Sequence, residues 1–157
     1  MIDLEGLKIV KADESDAAEI WRLQRTAYLS EAEIYDDYSI QPLTQTFEQA
    51  IEEFGESVVL KAIISDKIIG SVRAHERDNI VYIGKLMVLP DYQNMGVGKK
   101  LLEAIEREFQ GRRLELFTGA KSEKNIALYE KCGFSLFKTE EIAPGFSFVY
   151  MEKSAPC

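Results

Sequence analysis

Gly96 and Gly98, separated by one residue, open an amphipathic stretch and are followed at once by Lys99 and Lys100. Glycine lets a backbone approach a ligand closely and take turn conformations closed to other residues. The N–H groups of a first helical turn have no partner inside the helix, and the helix dipole adds partial positive charge there. Such a start binds phosphate whatever the net charge of the chain. Further on, Asn125 and Tyr129 are four residues apart and share a face if the segment is helical. A phenol titrates near ~10 and can donate a hydrogen bond to a growing negative charge.

Two familiar phosphate loops fail on inspection. A Walker A loop needs Gly-x4-Gly-Lys-Ser/Thr, but aligning it on Gly98-Lys99 puts Gln93 at the first glycine and Lys100 at the hydroxyl. A dinucleotide fingerprint needs a third glycine where Leu101 stands, and it needs a βαβ unit ahead of it.

The elements around these residues follow from periodicity. Leu7 to Val10 reads as a strand. Asp13-Glu14-Ser15-Asp16 starts a helix expected to run to about Glu33, with Ala17, Ile20, Trp21, Ala27 and Tyr28 on its face. Tyr35 to Pro42 reads as a loop, and Thr44 to Phe54 as a second helix ended by Gly55. Ser57 to Ile64, Ile68 to Glu76 and Ile80 to Leu89 are three strands with short turns at Ser65-Asp66-Lys67 and Arg77-Asp78-Asn79, hence an antiparallel meander. A helix follows through Val97, Leu101, Leu102, Ile105 and Phe109, then a strand from Arg113 to Phe117. Ser122 is placed to cap a helix running to Cys132, and Gly133 to end it in the left-handed conformation. Phe134 to Thr139 and Phe146 to Glu152 are strands, and Lys153 to Cys157 is expected to be a loose tail. The order is β-α-α-β-β-β-α-β-α-β-β. It predicts one α/β domain over residues 1–157, a mixed and mostly antiparallel sheet of about seven strands flanked by about four helices.

The composition fits that domain. At 157 residues the chain is long enough for a core without staples, and 46% hydrophobic with 29% charged residues argues against disorder. The net charge of −8 disfavours nucleic acid as a partner and suits a cationic substrate. No basic leader and no long apolar run is present, so a cytoplasmic protein without membrane partners is expected. Cys132, Cys157 and one histidine have no metal-ligand spacing, so no metal is expected, and both thiols read as reduced.

The segment Gln93-Asn94-Met95-Gly96-Val97-Gly98 matches a third pattern. It resembles the Gln/Arg-x-x-Gly-x-Gly/Ala pyrophosphate loop of the GNAT acetyltransferases, whose fourth strand Leu86-Met87-Val88-Leu89-Pro90 also resembles. Asn94 departs from the commoner glycine, and asparagine tolerates left-handed backbone better than most residues. Asn125 to Phe134 resembles a second GNAT motif, here Asn125, Tyr129, Glu130 and Gly133-Phe134. The element order is also the GNAT order.

The resemblance implies acetyl-CoA as donor cosubstrate and a primary amine as acceptor, with direct transfer in a ternary complex. Backbone N–H groups from Asn94 to Lys99 would hold the pyrophosphate. Exposed backbone of Leu86, Met87 and Val88 would pair with the pantetheine arm, at a cleft where the fourth strand splays from the fifth at a bulge. Asn125 would bind near the pantetheine and Tyr129 would face the sulfur. A lysine-like amine near pKa ~10.4 costs about 4–5 kcal/mol to deprotonate at pH 7. The thiol, at ~8.5, is a slightly stronger acid than tyrosine, so Tyr129 would donate a hydrogen bond first and its proton late. Met87 or Val88 would donate to the acetyl oxygen. Cys132 lies on a different bearing, which disfavours it as an acyl carrier. His75, Glu76 and Glu33 are the candidate general bases, His75 having the suitable ordinary pKa. The acceptor wall is expected from Tyr28 to Tyr38, acidic and aromatic, with Glu140-Glu141 and Phe146. Such a wall suits a polyamine, an amino sugar, a lysine or a peptide N-terminus. The competing reading is a non-catalytic acyl-CoA sensor on the same fold. Edge strands at the C-terminal end would allow a homodimer.

Overall fold

Two tight turns organise the first half of the sheet. Ser65 and Asp66 have φ of 49° and 65°, and Asp78 and Asn79 have 54° and 68°. Paired left-handed residues make the hairpin turn whose twist matches that of its strands, and Asp and Asn tolerate that region best. The computed structural model describes residues 4–154. In it these turns join β2 (Val58–Ile64), β3 (Lys67–Arg77) and β4 (Ile80–Val88) into the expected meander, and β1 (Lys8–Lys11) adds antiparallel to β2.

The helical segment between β1 and β2 is more broken than periodicity predicts. Asp13 caps a 3-10 turn at Glu14–Asp16, and α1 follows at Ala17–Ala27. It does not run on to Glu33. Tyr28 leaves helical geometry, and a separate α2 (Leu29–Tyr35) ends at the left-handed Asp36. The bend lets Ala32 bury completely and lays α2 against the far end of the sheet. The expected loop to Pro42 runs into the short α3 (Gln41–Thr44), with proline in its first turn. A Thr46/Gln49 capping box then starts α4 (Phe47–Gly55), three residues later than expected.

The second half contains α5 (Val97–Glu108), β5 (Arg113–Gly119), α6 (Glu123–Lys131), β6 (Ser135–Ala143) and β7 (Phe146–Lys153). Gly133 stands at φ 95° past α6, as its position predicts. Strand β7 takes in Lys153, so the expected tail begins later, and residues 155–157 lie outside the described part.

The sheet order is β1-β2-β3-β4-β5-β7-β6, antiparallel except between β4 and β5. That parallel seam is short: Ile80 pairs with Arg113, Val81 with Leu114 and Tyr82 with Glu115, and nothing beyond. Strand β4 carries a bulge just after it. Ser71 faces Met87 but Arg73 faces Gly84, so β4 holds one extra residue, with Lys85 left-handed at φ 46°. Two cores flank the sheet. Leu101, Leu102 and Ile105 of α5 are fully buried on one face with Val72, Val81, Leu116 and Met151. Burial of each such side chain contributes about 1.5–3 kcal/mol. On the other face Ile20 and Leu23 of α1 pack on Val59, Ile68 and Met87.

Candidate active site

Beyond Tyr82 the two central strands diverge into a wedge. On one side β4 stays paired with β3 through Val88, and on the other β5 stays paired with β7 through Gly119. The facing edge of β4 is therefore open. The Leu89 N–H donates to Ile69 C=O at 2.8 Å, toward β3. Strand alternation then turns the N–H and C=O of Val88 to the open side and those of Met87 toward β3.

The glycine loop closes one end of this wedge. Asn94 and Gly96 are both left-handed, at φ 64° and 86°. A Cβ built on Gly96 would meet nothing within 4 Å, so this turn faces open space. The first bond of α5 runs from Lys100 N–H to Gly96 C=O, which leaves the N–H groups ahead of it pointing out of the helix end. Gly98 serves a different purpose. Its missing Cβ lets α5 sit against Leu128 and Val88, at 3.3 and 3.9 Å from where that atom would stand. Val97 is buried in the core, and Lys99 lies exposed beside the loop. The Gln93 amide donates to Val88 C=O at 3.0 Å and so ties the loop to the end of β4.

The opposite wall comes from α6 and α2. Tyr129 is buried, 6.2 Å edge-on to Phe134. Burial holds its pKa far above the usual phenol value, and the proximity of Tyr28 and Glu31 adds to this. Its hydroxyl is thus fixed in the protonated, donating form. The Tyr28 phenol is pushed up to about 12, first by burial, with Arg73 opposing and Glu31 assisting. Glu31 accepts from Ser122 Oγ at 2.6 Å and from Asn125 Nδ2 at 2.9 Å. Ser122 occupies the predicted cap position of α6, but it makes no cap bond, because its hydroxyl is turned to Glu31. The other amide hydrogen of Asn125 reaches Thr118 Oγ1 at 3.3 Å, so its Oδ1 remains the acceptor on offer to a ligand. Tyr35 anchors α2: its hydroxyl accepts Lys121 N–H at 2.9 Å and its ring packs edge-on to Phe146 at 4.8 Å.

The base candidates do not gather here. His75 stacks on Tyr82 at 5.4 Å, at the joined end of the two strands. Glu76 pairs with Arg112 at the same end. Glu33 is exposed. Of the expected acceptor wall, Tyr28, Tyr35 and Phe146 reach the wedge, whereas Glu140 turns to Lys138 and Tyr150. Cys132 follows α6 with its thiol pKa raised by burial and then Glu106, the wrong direction for a nucleophile.

Three features were not singled out in the sequence. Glu31 is one: it falls within the expected Tyr28 to Tyr38 wall, where Tyr28, Glu31 and Tyr35 repeat at helical spacing. Ser122 as its partner is another. The third is a polar cluster under α1 and α4. Glu53 pairs with Arg73 and, at 3.2 Å, with Lys85, while Lys85 also donates to Gln45 at 2.8 Å. Burial and then Arg73 push Lys85 down to about 7. Lys85 is only 9% exposed, so its ammonium has lost most of its hydration. The cavity beside this cluster is about 20 Å³, enough for one water and too small for an acceptor. Among the described residues no group of three or more His, Cys, Asp or Glu could hold a metal, and no helix is long and apolar enough to cross a membrane.

A family model described as the acetyltransferase (GNAT) family matches residues 17–134. The chain belongs to that family. Solved GNAT folds superpose over nearly its whole length. The ribosomal-protein-S18-alanine N-acetyltransferase of Escherichia coli does so with a TM-score of 0.80 at 18% identity, over 96% of each chain. The PaiA N-acetyltransferase of Thermoplasma acidophilum, solved with coenzyme A, gives 0.77 at 20% identity, over 94% of this chain and 98% of its own. YncA of Salmonella typhimurium, solved with its cofactor acetyl-CoA, gives 0.76 at 17%, over 97% and 95%. At these identities the likeness is one of fold. A search of curated proteins finds no match. Acetyl-CoA is the GNAT cosubstrate. The Gly96 turn fits it on its own terms, with open space on its outer side and unpartnered N–H groups at the helix end.

Proposed function

We propose that this GNAT protein is an N-acetyltransferase that moves the acetyl group of acetyl-CoA directly to a primary amine. The observation that carries this reading is the convergence of the open β4 edge with a buried, protonated Tyr129 across the wedge. Acetyl-CoA supplies an activated thioester carbonyl. The N–H groups from Asn94 to Lys99 hold its pyrophosphate, and the backbone of Leu86 to Val88 lines the pantetheine. Val88 N–H, on the open side, donates to the acetyl oxygen in preference to Met87 N–H, which faces β3. Asn125 Oδ1 accepts from the pantetheine, and Tyr129 donates to the departing sulfur.

The acceptor class is a cationic amine, small or at a peptide end, since the mouth is lined by Tyr28, Glu31 and Tyr35. A homodimer on this reading uses the exposed aromatic face around Phe117 and Phe137 rather than the β6 edge, which is bulged at two places.

The test is release of coenzyme A thiol with spermidine, glucosamine, lysine and an alanine-terminated pentapeptide. Tyr129→Phe should lower kcat by about 10²–10⁴ and leave the acetyl-CoA KM nearly unchanged. Equal turnover in both proteins would remove Tyr129 as the acid. Tight acetyl-CoA binding with no amine acetylated would favour the sensor reading.

A further inference from the structure

Carboxylates that are not fully exposed in this protein come with cations. Asp16 pairs with Lys61, Glu53 with Arg73 and Lys85, and Glu106 with Lys153. Glu115 and Glu152 share Arg113, and Glu140 pairs with Lys138. Among the described residues Glu31 is the exception. It is half-buried, and none of the ion pairs includes it. Its partners, Ser122 and Asn125, are neutral. A partly desolvated anion held by neutral donors keeps a charge for a cation to complete.

Its position gives that cation an identity. Glu31 lies close enough to Tyr28 and Tyr129 for its charge to oppose ionisation of both phenols. Tyr129 sits on the cofactor side of the wedge, and α2 reaches it from the other side. We infer that Glu31 binds the ammonium of the acceptor at the wedge mouth and takes its first proton. This rests on the N-acetyltransferase reading.

The proton count closes. The first proton leaves nitrogen for a Glu31 oxygen and passes to solvent. The lone pair it leaves behind forms the N–C bond. The C–S bond breaks with its electrons going to sulfur, and sulfur takes the Tyr129 proton. The second proton of nitrogen restores Tyr129. In a water-poor cleft a neutral amine–acid pair approaches the ion pair in free energy, because both charges have lost hydration. A carboxylate can therefore serve an amine whose ordinary pKa is far above its own.

Glu31→Gln tests this, since glutamine keeps an oxygen for Ser122 and Asn125 while removing the charge. The alkylamine of highest turnover is compared with p-anisidine, an arylamine uncharged at neutral pH, by kinetics and by calorimetric binding to the coenzyme A-loaded protein. The expected result is a loss of about 100-fold in kcat/KM for the alkylamine, with weaker binding, while p-anisidine and the acetyl-CoA KM stay within about threefold. Glu31→Asp should retain the preference for the charged amine. Equal losses for both amines, with an acetyl-CoA KM raised as in Asn125→Ala, would overturn the inference and leave Glu31 as a support for Asn125. Loss of the preference in Glu31→Asp would count against it too, including where Glu31→Gln does not fold. If no amine is acetylated yet one binds in a Glu31-dependent way, the acetyl-transfer reading falls and ammonium binding stands. If no amine binds, both fall.

Discussion

The two ends of the β4–β5 pair are built from the same strands and do opposite things with their polar residues. At the joined end, Ile80 to Tyr82 pair with Arg113 to Glu115, and the side chains around them meet in solvent: His75 lies on Tyr82, and Glu76 pairs with Arg112. At the open end the strands part, and Tyr28, Glu31, Thr118, Ser122 and Tyr129 gather from α2, β5, α6 and the caps of the two helices into a partly or wholly buried group. Surface pairs of the first kind contribute at most about 1 kcal/mol, because water serves each partner nearly as well. In the second group burial raises the pKa of the Tyr28 and Tyr129 phenols, and Glu31, Ser122 and Thr118 are held in fixed hydrogen bonds. On the proposed function the chemistry belongs where the sheet fails to close, and a residue type suited to catalysis means little at the end where it does.

Gly96→Asp puts a side chain and a negative charge into the loop at the open end, at a left-handed position. It should weaken acetyl-CoA binding by at least ~100-fold, about 2.7 kcal/mol, in a protein that still folds. Unchanged affinity by calorimetry would separate the loop from the wedge. Gly119→Ala acts on the other wall. A Cβ there would overlap the Tyr35 hydroxyl. The expected cost is about 1–3 kcal/mol in urea unfolding, with the amine KM raised and the acetyl-CoA KM spared. Equal effects on both substrates would mean that α2 does not serve the acceptor alone.

Lys85 marks the border between the ends. An unfolded lysine titrates near ~10.4, and this one is held at about 7. Between those values the unfolded chain carries a proton that the folded chain lacks, so stability rises with pH. Relative to Lys85→Met, wild type should gain up to ~1.4 kcal/mol per unit from pH 7 to 9 in urea midpoints. A flat difference would make the bulge as solvated as the joined end. The smallest effect is expected at that end itself: His75→Ala should leave kcat/KM within about twofold across pH 6–8, as an exposed histidine away from the wedge requires. A tenfold loss there would undo the contrast between the ends.

Local chemistry explains what was legible in the sequence. The meander could be read because Ser65-Asp66 and Asp78-Asn79 take left-handed turn conformations, and the turn ahead of α5 because Gly96 does the same. Gly133 ended its helix for the same reason. The misreadings are tertiary. Helical periodicity continues through Tyr28, yet burial of Ala32 and the grip of Tyr35 on Lys121 turn the chain there. Ser122 satisfies every rule for a helix cap, and only a carboxylate 91 residues away in sequence explains why it is not one. His75, one of three base candidates, has a suitable ordinary pKa, which says nothing about which end of a strand it occupies. Glu31 carried no mark of its own, because what distinguishes it is the missing cation.

The fit of Tyr35 against Gly119 also constrains how this protein can change. A larger residue at 119 is disfavoured while the tyrosine is present. Once Tyr35 has given way to a smaller side chain, the same replacement is freed of that overlap. The two positions are thus open to descent in one order and closed in the other. A lineage that acquires a new acceptor by remodelling α2 must begin on the helix, with the strand following.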